Sequence, residues 1–293
     1  MRAAPAVFAR RLWMPPEQPP ERLGLIAGGG DVPGNVADAA VEAGMDVHVL
    51  AFEGVTDADL LARFPHSFIR FDKVGGTVDA LKKNRCDSVC MVGKVARPDF
   101  GKLRPDLAGI SLLPKVIKAA SQGDDALLQV LVDFFQKKGF RVLGAHEIAG
   151  DVLVEAGVLG SCRPTLADDI DITKGIEVVD AIGGLDIGQG AVVQQGLVLA
   201  VEAAEGTDLM LERCVGLVKG HGGVLVKLTK PGQDHRIDLP TIGVTTVEGA
   251  ARAGLNGIAV EAGAALVIDR GSTIAAADRA GIFIVGVERP AGG

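Results

Sequence analysis

The sequence predicts an α/β protein: a Rossmann-like parallel-sheet domain at the N-terminus and a second α/β domain at the C-terminus. Three observations predict it. From Leu23 short aliphatic runs alternate with amphipathic stretches, the first run ends in Gly28-Gly29-Gly30-Asp31, and the rhythm changes after Gly144. A length of 293 residues, 48% apolar and 23% charged, suits two modest domains with buried cores.

Residues 1–22 are rich in proline and arginine and are expected to be a disordered leader, with Met14 as a plausible start. No apolar stretch follows the arginines, as an export signal requires. The first domain is expected over residues 23–150. Its strands are LGLIA, VHVLAF, SFIRF and SVCMV; its helices run over Asn35 to Ala43, Ala58 to Phe64 and Thr77 to Lys83. That βαβαβαβ order places parallel strands side by side and ligands beyond their carboxyl ends. Helical patterns around Leu112 to Ala120 and Ala126 to Lys138 precede the run FRVLG. In the second domain, expected over residues 151–293, AVVQQGLVLAVEAA reads as two strands about a turn at Gln195-Gly196. A helix over Thr207 to Val218, the strand GVLVKL and a final α/β stretch follow.

Composition excludes several classes. Thirty basic against thirty-seven acidic residues, a net charge of −7, one Trp and no Tyr leave no cationic or stacking surface for nucleic acid. Cys86, Cys90, Cys162 and Cys214 are too scattered for a disulfide framework, and nothing completes a zinc site around the first two. No run reaches the length of a membrane span.

Gly28, Gly29 and Gly30 end a strand before a helix, where free amides meet phosphate; the alternative is a sharp turn without ligand. As a dinucleotide fingerprint the loop is imperfect, with Pro33 at the third glycine position, although Glu53 suits a ribose. Gly75, Gly76 and Thr77 repeat the pattern after the third strand, and Lys94 follows the fourth as a compact cation for phosphate or solvent. Asp124 and Asp125 precede an apolar helix, suited to capping and to a nucleobase or ribose. In the second domain Gln189, Glu202, Glu205, Gly206 and Thr207 lie at strand ends. Lys227, Lys230, Gln233, Asp234, His235, Arg236 and Asp238 crowd one Pro-Gly turn. Carboxylates there suit magnesium, and the whole set suits a metal-bound diphosphate and an activated water; a salt-bridged hairpin would use the same letters. G-x-S-x-G, H-E-x-x-H and Walker A patterns are absent.

Taken together, LGLIAGGGDVP, GDDALL, GFRVLGAHE, LDIGQGAVV, LAVEAAEGTD, LVKLTKPGQDHRIDLPTIG, GLNGIAVEAG and AAADRAGIFIVG resemble the metal-dependent UDP-2,3-diacylglucosamine pyrophosphatases of lipid A biosynthesis. The resemblance spans Leu23 to Val287. His235 stands where the family pattern has arginine. The resemblance implies hydrolysis of a lipid-linked nucleotide sugar to UMP and lipid X, with magnesium and water acting at the sugar-side phosphorus. It also implies a UDP-binding first domain, an acyl-sugar-binding second domain and a homodimer in the cytoplasm, in transient contact with the inner membrane. Asp238 is then the first choice for metal binding or water activation, with Glu202, Glu205 and Asp234 behind it. Gln189 and Gln233 orient sugar or water, and Lys227, Lys230 and Arg236 balance phosphate charge. Membrane contact is expected through an apolar pocket mouth, since the net charge disfavours electrostatic adhesion. Two competing readings are an NAD(P)-dependent oxidoreductase on the first domain and a non-catalytic lipid or nucleotide-sugar carrier.

Overall fold

A computed structural model describes residues 22–95, 104–120, 124–231, 236 and 239–289. Apart from Arg22, the expected leader lies outside them. The first domain is a wholly parallel five-stranded sheet of β1 (Arg22–Ala27), β2 (Asp46–Phe52), β3 (His66–Ile69), β4 (Ser88–Val92) and β5 (Arg141–Leu143). Helices α1 (Val32–Glu42), α2 (Ala58–Arg63), α3 (Val74–Lys83), α4 (Leu107–Ala120) and α5 (Asp124–Lys137) make the crossovers, and the short α6 (Ala145–Ile148) follows β5. The central strands read as unbroken aliphatic runs because both faces are covered. Val36, Ala40 and Leu60 pack one face, and Val78, Leu112, Val132 and Phe135 the other.

The strand order β3-β2-β1-β4-β5 reverses direction between β1 and β4, and a crevice opens at their carboxyl ends. There Gly29 and Lys94 exchange both backbone hydrogen bonds at 2.8 Å, and Gly28 N–H donates to the Val92 carbonyl.

The second domain is a mixed six-stranded sheet. It contains β6 (Gly157–Leu159), β7 (Gly190–Gln194), β8 (Leu197–Val201), β9 (Val224–Lys227), β11 (Gly257–Glu261) and β13 (Phe283–Val287), in the order β6-β13-β11-β9-β7-β8. Only β9, β11 and β13 pair in parallel with a neighbour. The expected turn joins β7 to β8, with Gln195 and Gly196 both at positive φ, the backbone of a two-residue hairpin turn. Helix α7 (Leu166–Gly184) packs one face of this sheet, and α8 (Gly206–Cys214), α9 (Val244–Ala253) and α10 (Arg270–Ala280) pack the other. A small parallel pair, β10 (Thr241–Ile242) and β12 (Leu266–Val267), sits between the domains. Leu239 and Leu266 from this region join Leu143 and Ile148 in the core of the first domain, so an apolar seam connects the two halves.

Two helices depart from the sequence reading. α7 has no counterpart in it, although Thr165 and Asp168 form a capping box at its start. A glycine at its centre, Gly175, obscures the helical signal; a Cβ there would collide with the Val226 side chain of β9, so close helix-to-sheet packing requires it. α4 begins five residues earlier than expected, with Pro114 inside it. Its first turn is anchored to the start of α3. Asp106 accepts from the amides of Gly109 at 2.8 Å and Gly76 at 3.1 Å. Alongside, Arg70 grips Asp72 through Nε and Nη2, both at 2.9 Å, and Arg104 N–H donates to the same carboxylate. The Arg70 hydrogen bonds hold the Asp72 carboxyl down to about 2.

Candidate active site

The crevice of the first sheet faces the β7, β8 and β9 ends of the second, and together they enclose a cleft of about 680 Å³. The strand-to-helix turn Gly29 to Val32 and the β4 exit Gly93-Lys94 form one wall; Gln189, Glu202, Glu205 to Asp208, Lys227, Arg236 and Thr241 to Thr246 form the other. Lys94 Nζ reaches across to Asp208 at 2.6 Å. Both groups are solvent-accessible, so this ion pair contributes little to stability.

Five helices begin on this cleft: α6 and α10, where Glu147 takes the Gly144 amide and Asp269 the Ser272 amide, and α1, α8 and α9. In the last three no N-cap side chain takes a first-turn amide among the described residues, and Thr246 Oγ1 accepts only from the Gly243 amide ahead of α9. Helices starting elsewhere are closed off: Asp57 caps α2, Thr165 caps α7, and Asp106 takes the Gly76 amide of α3. Uncapped first-turn amides carry the positive end of the helix dipole and favour an anion. Lys94, Lys227 and Arg236 add full charges to the same space. With Asp31, Glu202, Glu205, Asp208 and Asp269 also on its walls, the cleft offers amides and cations to an anion and carboxylates to a cation.

Glycine at 28 keeps the wall closed, because a Cβ would come 2.6 Å from the Lys94 carbonyl oxygen. Gly28→Ala is expected to spread β1 from β4, cost about 2 kcal/mol of stability and weaken nucleotide binding. Denaturant unfolding and titration calorimetry read both effects; an unchanged midpoint and affinity would contradict this packing.

A buried polar chain crosses the opposite wall. Lys227, only 5% exposed at the end of β9, donates through Nζ to Thr207 Oγ1 at 2.8 Å and to the Thr241 carbonyl at 3.2 Å. Thr207 Oγ1 in turn donates to Glu202 Oε1 at 2.7 Å. An ammonium has three protons, so one remains for a ligand. Glu202 is 7% exposed. Its Oε2 is buried and, like Gln189 Oε1, has no hydrogen-bond partner among the described residues. Such buried oxygens cost free energy unless something occupies them. Both line the cleft, and both are the hard oxygen donors that magnesium accepts alongside phosphate and water. No group of three His, Cys, Asp or Glu side chains is placed to hold a metal ion among the described residues, so a metal here would draw further ligands from substrate and solvent.

The structure brings Gly29, Gly30, Lys94, Gln189, Glu202, Glu205, Gly206, Thr207, Lys227 and Arg236 to the cleft, with Gly28 directly behind its wall. It does not bring Gly75, Gly76 and Thr77 there. β3 is an outer strand, two places from β1 and so roughly 10 Å away, and the Gly76 amide is already bound by Asp106. Lys230 also stands apart, its ammonium 2.6 Å from Asp186. Glu205 pairs with Arg213 at 2.6 Å. Gln233, Asp234, His235 and Asp238 lie outside the described residues, as do the side chains of Asp124 and Asp125. Arg236 and Leu239, flanking Asp238, both line the cleft. Gly144 makes room for this segment, since a Cβ there would meet the Arg236 Cα at 2.8 Å.

Sequence reasoning missed the α9 wall. Its signal was present: Thr241-Ile242-Gly243-Val244 is a second apolar strand ending in a glycine that opens a helix. Asn35 was missed as well, and Asp31 and Asp208 stood in the site strings without a role.

Comparison with known proteins places these features in a family. Residues 22–152 match the model of the LpxI N-terminal domain and residues 155–285 that of the LpxI C-terminal domain. The chain is 48% identical over 279 residues to the UDP-2,3-diacylglucosamine pyrophosphatase LpxI of Caulobacter vibrioides, covering 92% of this chain and 99% of that one. Among solved structures, a glycinamide-RNase-transformylase T from Mycobacterium tuberculosis aligns with a TM-score of 0.24 at 12% identity, over 62% of this chain and 44% of that one. CobK precorrin-6A reductase aligns at 0.29 and 11%, over 92% and 88%. With both halves of the chain matched in order and a relative alike along almost its whole length, the chain belongs to the LpxI family.

Proposed function

We propose that this chain hydrolyses the diphosphate of UDP-2,3-diacylglucosamine, releasing UMP and 2,3-diacylglucosamine 1-phosphate. The observation that carries the reading is the convergence of three uncapped helix starts with Lys94, Lys227 and Arg236 on one cleft, in a chain akin to a pyrophosphatase of that name.

The diphosphate lies between the α1 turn and the starts of α8 and α9, with the uridine half toward the first domain and the acylated sugar toward the second. Lys227 directs its remaining proton at the phosphoryl oxygens, where charge grows as the bridging bond breaks. Thr207 fixes that ammonium, and Glu202 fixes Thr207. Glu202 and Gln189, together with Asp238 from the adjoining segment, would hold magnesium. The ion, when bound, neutralises phosphate charge and lowers the pKa of water. Asp238 takes the proton from a water that attacks the sugar-side phosphorus; the bridging oxygen leaves with UMP. Asp234 and Gln233 support these groups from the same loop.

The enzyme acts as a cytoplasmic homodimer. Among the described residues no helix is long and apolar enough to cross a membrane.

The test incubates purified protein with the substrate in magnesium or in chelator, using heavy-oxygen water. UMP in magnesium alone, with label in the lipid phosphate, supports the reading. Label in UMP would move the attack to the other phosphorus, and binding without turnover would favour a carrier.

A further inference from the structure

We propose that α4 docks the protein on an anionic lipid surface through an outward apolar stripe bordered by basic side chains. A surface helix ordinarily turns its apolar residues inward. α4 does so with Leu112 and Val116, which pack in the core beneath it. Yet Leu107, Ile110 and Ile117 lie on the opposite face and are 87%, 54% and 57% exposed. Spacings of three and seven put them on one stripe, and Pro114 falls between them. Phe71, also exposed, sits at the same corner, next to Asp72, whose carbonyl receives the Asp106 amide.

α4 itself carries Lys115 and Lys118 and no acidic side chain, in a protein whose net charge is −7. Arg104, Lys115 and Lys118 border the stripe. Of the acids ahead of α4, Asp106 holds the Gly76 and Gly109 amides and Asp72 is paired with Arg70. In this proposal the local charge of α4, and not the net charge of the chain, sets adhesion to anionic lipid.

Two physical arguments select lipid over a second copy. Anionic headgroups complement Lys115 and Lys118, whereas a second copy of α4 has no acidic side chain to pair with them. In addition, the start of α4 lies against the start of α3, at the carboxyl edge of the first sheet, the edge onto which the cleft opens. Docking there would present the cleft to a membrane-held substrate. The choice of lipid rests on the reading of that substrate as diacylated.

The experiment sediments the full chain with vesicles of phosphatidylglycerol and phosphatidylethanolamine, or of phosphatidylcholine alone. Binding to the anionic vesicles, weakened by salt, is expected, with little to the neutral ones. Lys115→Glu with Lys118→Glu should lower the partition coefficient at least about thirtyfold. Leu107→Ser with Ile110→Ser and Ile117→Ser should lower it about tenfold. Both variants should hydrolyse detergent-dispersed substrate like the wild type and vesicle-embedded substrate more slowly. No binding by the wild type, or equal binding by all three proteins, would overturn the proposal. So would a serine variant that shifts to a smaller assembly while still binding vesicles, which would give the stripe to a second copy. Failure of every protein to hydrolyse either substrate would instead overturn the enzymatic reading, while vesicle binding would still decide the docking.

Discussion

Lys227→Met is expected to lower turnover by about a hundredfold to a thousandfold, with the fold retained and a smaller change in KM. The side chain ends β9 inside the cleft wall, surrounded by Val226, Leu228 and the starts of two helices, so a methionine of similar length fills its volume. What disappears is the one buried cation among the described residues that touches both Thr207 and the Thr241 carbonyl. Its charge matters most when the bridging bond breaks, so kcat should fall more than binding. Lys227→Arg should not restore activity, because a planar fork cannot reproduce the point donation to one hydroxyl and one carbonyl. Thr207→Val is a milder disturbance of the same chain: it keeps the ammonium and removes its tether to Glu202. Steady-state kinetics on UMP release measures all three. A Lys227→Met enzyme with wild-type kcat would remove this residue from the reaction.

Asp238→Asn is expected to reduce turnover by about a thousandfold while leaving nucleotide affinity within a few-fold of wild type. An amide keeps the size and loses both the proton-accepting oxygen and the charge for a cation. The affinity should persist because the amides and cations proposed to grip the diphosphate belong to other residues. If magnesium is held partly by Glu202, Glu202→Gln should raise the magnesium concentration needed for half-maximal rate, whereas Asp238→Asn should lower the rate even at saturating metal. Calorimetric binding beside single-turnover hydrolysis separates the two roles. Full activity in Asp238→Asn would contradict the assignment.

How much of this was readable in the sequence depended on whether the signal was local. The parallel sheet was legible because strands such as VHVLAF are covered on both faces and so carry no polar alternation. The Gly28 turn was legible because close backbone approach at the β1 exit leaves a run of glycines. α7 was not, since Gly175 is dictated by Val226 on a strand fifty residues away. Gly75-Gly76 mimicked Gly28-Gly29 in composition, but strand order decides which loop meets the ligand, and β3 is at the edge. Lys227 and Lys230 are three residues apart and alike in type, yet one closes a strand inside the cleft and the other follows the turn to Asp186. The third helix start, at Gly243, becomes part of the site only when the second domain stands over the first. The substrate came from long motif strings and not from periodicity or charge.

The most direct measurement is hydrogen–deuterium exchange with and without UDP. Slower exchange should appear together at the amides of Gly29 to Val32, Gly206 to Asp208 and Val244 to Thr246, the helix starts on the cleft with no N-cap side chain on their amides. Protection confined to Gly75 to Thr77, or spread over regions remote from all three, would contradict the account.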